Sequence, residues 1–298
     1  MKILVTGATG LIGGALLRQY AGIHTFTAIT RNTSKPFKSD VTWIVSDYSE
    51  TSLNHILHGK NFDAVVHLAG VRFLPTQDHF SHYLDNIVIS ENLFSACQKN
   101  DITNIVCASS RSVYSEKNVL PWRENQIPVP LNFYGISKLI MENISNIFNE
   151  KFDMKIKSLR IAQILSADER KGFLLRTLFD NAKKKQEQVI YGSGAAKREY
   201  LYIKDAVDAI IKACHKSDII GAFNIGSGAT ISIKKLAELI NHIFENSTSL
   251  RYVENKKEDL SVALMNCEKA SAMLGFTAKF SVKDAIINIR QEGLKKEL

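Results

Sequence analysis

Short apolar runs alternate with helically periodic segments through the first half of this chain. Candidate strands are Lys2–Thr6, Thr25–Thr30, Val41–Val45, Ala64–Leu68, Ile105–Ala108 and Lys155–Arg160. Runs of this length, largely apolar and bounded by turn formers, read as strands buried on both faces of a parallel sheet. Between them, Leu53–Leu57, Asn86–Lys99 and Ile136–Lys151 repeat apolar residues at helical spacing. The succession predicts an α/β chain folded as a doubly wound parallel sheet. After Arg160 the character changes, and lysine-rich helices alternate with short apolar pieces such as Gln188–Tyr191. A smaller, mostly C-terminal α/β domain is expected from 163–199 and 227–298, with 200–226 returning to the first domain of 1–162. No repeat or low-complexity linker separates the two, so they should share a cleft.

Composition narrows the class. The 298 residues supply ample material for a core, and the 45% apolar content is ordinary for a globular protein. No apolar run approaches membrane-spanning length, and the chain opens directly into a strand, so neither a membrane partner nor a signal peptide is expected. Cys97, Cys107, Cys214 and Cys267 are scattered without ligand spacing. They read as packing thiols in a reducing, cytoplasmic compartment, with no metal implied. The net charge of +8 and the clusters Lys183–Lys185 and Lys295–Lys296 could suggest nucleic acid. Nearby acids and helix-end positions make a solvated face the better reading. No basic–aromatic interleaving supports a nucleic-acid partner.

Three local patterns carry chemistry. Gly7, Gly10 and Gly13 follow the first strand and open a helix through Leu11, Ile12, Ala15 and Leu16. Glycines there permit a tight turn and close approach of backbone to a phosphate, which the helix amino end would meet with free N–H groups. Asn104–Tyr114 is a second buried run whose end carries Ser110. Ligands of open parallel sheets bind outside the carboxyl ends of the strands, so Ser110 shares a rim with the glycine turn. Tyr134 and Lys138 stand one helical turn apart on one face. A fixed cation near a phenol favours the phenolate and makes proton abstraction from an alcohol feasible.

Together with Val66–Gly70, Ser158–Arg160, Tyr191–Gly194, Arg198 and Phe223–Gly228, these stretches resemble the NAD-dependent epimerase/dehydratase family, a branch of the extended short-chain dehydrogenases/reductases acting on nucleotide sugars. The resemblance implies a Rossmann-type domain, a nucleotide-diphosphate sugar as partner, NAD or NADP as cofactor, and a homodimer through Asn86–Lys99 and Ile136–Lys151. It assigns catalysis to Ser110, Tyr134 and Lys138: Tyr134 moves the proton, Ser110 bonds the same oxygen, and Lys138 bonds the nicotinamide ribose while lowering the phenol's pKa. Cofactor contacts are implied at Gly7, Thr9, Gly10, Leu11, Ile12 and Gly13, then at Arg31, Asp47, Tyr48, Leu68, Ala69, Gly70, Arg72, Asn86 and Ile161, besides Tyr134 and Lys138. Substrate contacts are implied at Ser110, Gln163 and Arg198, the last as the grip on a diphosphate.

Departures from the family pattern shape the expectation. Arg31-Asn32 ends the second strand where many relatives carry an acid, which leaves NAD and NADP both open. Asp47 and Asn86 have alternative readings as turn former and helix cap. Arg111 and Ser112 occupy the places of the dehydratases' Asp and Glu, which argues against dehydration. Gln163 replaces an asparagine, Ser115 a glycine, and Lys257 is a weak stand-in for an arginine. The expected activity is UDP-hexose 4-epimerisation by transient oxidation at C4. The rival readings are an NADP-dependent 4-ketoreductase of a deoxysugar nucleotide and, more remotely, a non-catalytic dinucleotide sensor.

Overall fold

The computed structural model describes residues 1–31, 40–72, 79–254 and 260–296. Asn32 and the 255–259 stretch with Lys257 lie outside the described residues, as do the side chains of Lys295 and Lys296. The first unit runs β1 (Lys2–Thr6), α1 (Leu11–Tyr20), β2 (Thr25–Thr30), β3 (Val41–Val45), α2 (Glu50–Leu57), β4 (Ala64–His67), α3 (Leu84–Lys99), β5 (Asn104–Ser110), α4 (Phe133–Phe152) and β6 (Lys155–Ile161). These strands and β10 (Gly221–Ile225) form a seven-stranded sheet in the order β10-β6-β5-β4-β1-β2-β3. Every pairing in it is parallel.

The alternation of side chains along each strand divides the interior into two cores. Ile3, Val5, Phe26 and Ala28 face α1 and the later helix α6 (Ile203–Cys214). Leu4, Ile29 and Val65 face α2, α3 and α4 through Leu53, Leu93 and Met141. Both faces are thereby covered, as a parallel sheet with right-handed crossovers requires.

The remainder comprises β7 (Gln163–Leu165), α5 (Leu174–Lys183), β8 (Gln188–Tyr191), β9 (Lys197–Tyr202), β11 (Thr230–Ser232), α7 (Ile233–Ile243), β12 (Leu250–Val253) and α8 (Val282–Lys296). They build a three-stranded sheet, β11-β9-β7, and a two-stranded one, β12-β8. Tyr200–Tyr202 lie in β9 of the smaller sheet, whereas α6 and β10 join the larger one. No helix among the described residues is long and apolar enough to cross a membrane.

Candidate active site

A cavity of about 450 Å³ opens at the carboxyl edge of the large sheet. Its walls bring together Gly7, Gly10, Leu11, Ile12, Gly13, Leu68, Gly70, Arg72, Ser110, Tyr134, Lys138, Ile161 and Gln163. The glycine turn is built for close contact. Gly7 has φ +67°, and a β-carbon on it would stand 2.5 Å from the Ala69 nitrogen. A β-carbon on Gly13 would stand 2.4 Å from the Gly7 carbonyl oxygen. This tight packing sets the start of α1 against the cavity, where Gly10, Leu11, Ile12 and Gly13 form a cradle that fits a pyrophosphate.

The opposite wall is fixed by a chain of buried hydrogen bonds. The Thr6 hydroxyl accepts from the Leu68 and Ala69 N–H groups, both at 3.2 Å, and contacts His67 Nδ1 at 2.8 Å. His67 Nε2 meets Ser90 Oγ at 3.0 Å, and Ser90 donates to the Asn86 carbonyl at 2.5 Å. Burial, with a smaller push from Lys138, lowers the His67 pKa to about 3, so the ring is a neutral link. Asn86 itself clamps Val71: its Oδ1 accepts from Val71 N–H at 2.5 Å and its Nδ2 donates to Val71 O at 3.0 Å. The asparagine thus lies behind the wall, holding the strap at 68–71 in place.

Tyr134 reaches the cavity because α4 begins there. Asn132 caps the helix by accepting from Gly135 N–H at 2.8 Å. Gly135 lies against the turn after β5, where a β-carbon would stand 2.0 Å from the Ser112 carbonyl oxygen. That approach brings the phenol into a side-chain hydrogen bond with Ser110. Burial raises the Tyr134 pKa, opposed by the Ser110 bond and by the charge of Arg72. Lys138, one turn on, is 7% exposed and donates from Nζ to Ala108 O at 2.8 Å. Its Nζ lies 5.9 Å from the Tyr134 ring centroid, and burial lowers its pKa to about 8. In this geometry the ammonium bonds a backbone carbonyl, and Arg72 is a second cation whose charge acts on Tyr134.

Several expected contacts lie off the cavity wall. Tyr48, at φ +64°, is buried beneath the glycine turn and donates to Ile29 O at 3.2 Å. Arg31 stands 5.6 Å over its ring and pairs with Asp85 at 3.2 Å. Asp47 is exposed and accepts from Ser49 N–H at 2.8 Å, a turn-forming bond that lowers its pKa. Thr9 and Ala69 do not line the cavity either.

Arg198 lines a neighbouring cavity of about 360 Å³ with Tyr191, Gly194 and Tyr200, and Gln163 belongs to both. Its Nη1 donates to Ser261 O at 2.8 Å. The Tyr200 hydroxyl is buried with no hydrogen-bond partner among the described residues. Burial lifts its pKa to about 12 against the pull of Arg198 and Arg111.

Sequence reasoning missed two supporting carboxylates, Glu169 and Glu142. Arg72 is held by both carboxylate oxygens of buried Glu169, at 2.5 and 2.7 Å, and stacks 4.5 Å over Phe173. Behind Ser110, Glu142 accepts from Ser109 Oγ at 2.5 Å and from Arg160, whose Nη2 stands 2.7 Å away. Burial works against the Arg160 charge, but Glu142 holds it firmly protonated. The helical spacing of Glu142 from Lys138 was the one visible signal.

The model of the NAD dependent epimerase/dehydratase family matches residues 3–226. An uncharacterised UDP-glucose epimerase of Bacillus subtilis (strain 168) is 29% identical, covering 97% of this chain and 96% of its own. A UDP-glucose 4-epimerase of Halalkalibacterium halodurans is 24% identical, covering 96% and 93%. Among solved structures, a UDP-N-acetylglucosamine 4-epimerase from Bacillus cereus superposes with a TM-score of 0.89 at 34% identity, over 100% of this chain and 97% of the other.

Proposed function

Because the chain belongs to the NAD-dependent epimerase/dehydratase family, we propose that it inverts C4 of a UDP-hexose, using Tyr134 as the proton-transfer group. The observation that carries this reading is the hydrogen bond between Ser110 and Tyr134 at the wall of a cavity whose other end is the Gly7–Gly13 cradle.

The cradle, the strap at Leu68–Gly70, Ile161 and Lys138 would hold NAD, which supplies the hydride acceptor and donor when bound. Tyr134 takes the proton from the C4 hydroxyl, and Ser110 bonds the same oxygen as it becomes a carbonyl. Arg72, fixed by Glu169, supports the charged phenol. When the ketone has turned over in the cavity, Tyr134 returns the proton to the inverted alcohol. The second cavity with Arg198 suits the diphosphate, its forked donors matching phosphate oxygens. Gln163 stands between the diphosphate and the reacting carbon.

Asp85 beside Arg31 supports NAD over NADP, since a 2′-phosphate there would meet a carboxylate. We place the domain boundary at Gln163, where the chain leaves the large sheet for the small one. Exposed Leu84 and Val88 on α3, with Ile147 and Phe152 on α4, support a homodimer through these helices. The four free thiols accord with the cytoplasm.

The test is a cofactor assay. Purified protein should convert UDP-galactose and UDP-glucose into each other with nothing added and release oxidised NAD on denaturation. NADPH consumed mole for mole with substrate would instead establish the ketoreductase.

A further inference from the structure

The segment 166–173 joins β7 to α5 in the smaller unit, yet side chains fasten it to the larger one on both sides of the glycine cradle. Asp168 pairs with Arg18 of α1 at 3.1 Å, both side chains half-exposed. Glu169, its side chain 3% exposed, holds Arg72, just past the 68–71 strap, through both carboxylate oxygens. Arg72 in turn lies over the Phe173 ring. The root of the segment is anchored from α5, where Arg176 Nη1 donates to Ala167 O at 3.3 Å. Arg170 and Phe173 line the same cavity as Gly10 and Gly13.

On the reading proposed above, which this inference rests on, α1 and the strap are the two walls between which the dinucleotide lies. A segment tied to both by ion pairs closes that space from outside without belonging to either wall. The exposed pair contributes little by itself. The two-point contact with a nearly buried acid contributes more and fixes the direction of approach. Opening returns all four charged groups to water, so no charge is stranded in either state. The neighbouring cavity, joined to the first through Gln163, gives the nucleotide sugar its own way in. We infer that the 166–173 segment is a latch over the cofactor. It opens to admit the dinucleotide, closes through the Arg18–Asp168 and Arg72–Glu169 pairs, and stays shut while nucleotide sugars turn over.

Exchange of the bound cofactor measures the latch directly. Holoenzyme loaded with radiolabelled NAD is mixed with excess unlabelled NAD, and the label left on the protein is followed by gel filtration. Asp168→Asn should speed the loss of label roughly two- to fivefold, the worth of an exposed pair. Glu169→Gln should speed it by on the order of tenfold or more, because the pair it breaks is largely buried. Reversing the exposed pair, Arg18→Glu with Asp168→Arg, should restore slow exchange, which a merely structural role for Asp168 would not give. Added salt should speed exchange more in the wild type than in Asp168→Asn, since it screens that pair. Circular dichroism checks that each variant is folded. Exchange at the wild-type rate in both single variants would overturn the inference, even if C4 epimers are interconverted. Asp168→Asn should leave kcat for that interconversion unchanged. A kcat that rises in step with exchange would show cofactor leaving in every cycle, contradicting both the shut latch and the epimerase reading. Release of NADP instead of NAD, with the same response to the variants, would support the latch and contradict the choice of cofactor.

Discussion

At the level of single residues, the site depends on atoms that are missing as much as on those present. Gly135 has no obvious chemical role, yet its lack of a side chain lets α4 start against the Ser112 carbonyl. Gly135→Ala should push Tyr134 away from Ser110, and a displacement of about 1 Å can cost about 100-fold in rate. Steady-state kinetics should show that loss in kcat, with NAD content unchanged because the Gly7–Gly13 cradle is untouched. The sequence announced the Gly7–Gly13 turn and the Tyr134–Lys138 pair because each is local, its geometry set within one turn of backbone. It did not announce the Arg72–Glu169 pair, whose members are 97 residues apart. Asp47 and Asn86 were ambiguous for a related reason: short polar side chains serve turns, caps and ligands alike, and only tertiary position decides. Asp47 forms a turn, and Asn86 holds the strap.

At the level of elements, the strand ends were readable because buried apolar runs stop where the sheet meets solvent. β5 continues past Ala108 to Ser110, so the strand itself delivers the hydroxyl to the rim. Less readable were the polar residues inside these strands. Lys157 is fully buried in β6 and donates to Asn104 Oδ1, Lys155 O and Lys216 O. Arg160 in the same strand joins α4 through Glu142, with side chains 5% exposed on both partners. Removing one member of such a pair leaves a buried charge without compensation, at a cost of about 3–5 kcal/mol. Glu142→Ala should show that loss in urea denaturation. A variant stable to within about 0.5 kcal/mol, the range of surface substitutions, would mean that Arg160 has another counterion.

At the level of the whole molecule, the sheet edge, the strap and the smaller sheets converge on one pair of cavities, and buried titratable groups couple that convergence to pH. The folded His67 pKa of about 3 lies below its unfolded value of 6.5. Below the unfolded value the unfolded chain binds a proton that the folded chain refuses, so stability falls as pH drops from 6.5 toward 3. A His67→Gln variant should flatten that part of the stability–pH curve in thermal melts. The buried thiols are pushed the other way: burial lifts Cys107 and Cys214 to about 12. Both should resist a thiol reagent at neutral pH until the fold opens.

The central claim is that the Tyr134 oxygen moves the substrate proton, and replacing that oxygen alone tests it most directly. Tyr134→Phe should retain NAD and nucleotide-sugar binding while interconversion of the C4 epimers falls by about 100-fold or more, the range for a lost acid–base group. Wild-type turnover in that variant would contradict the account.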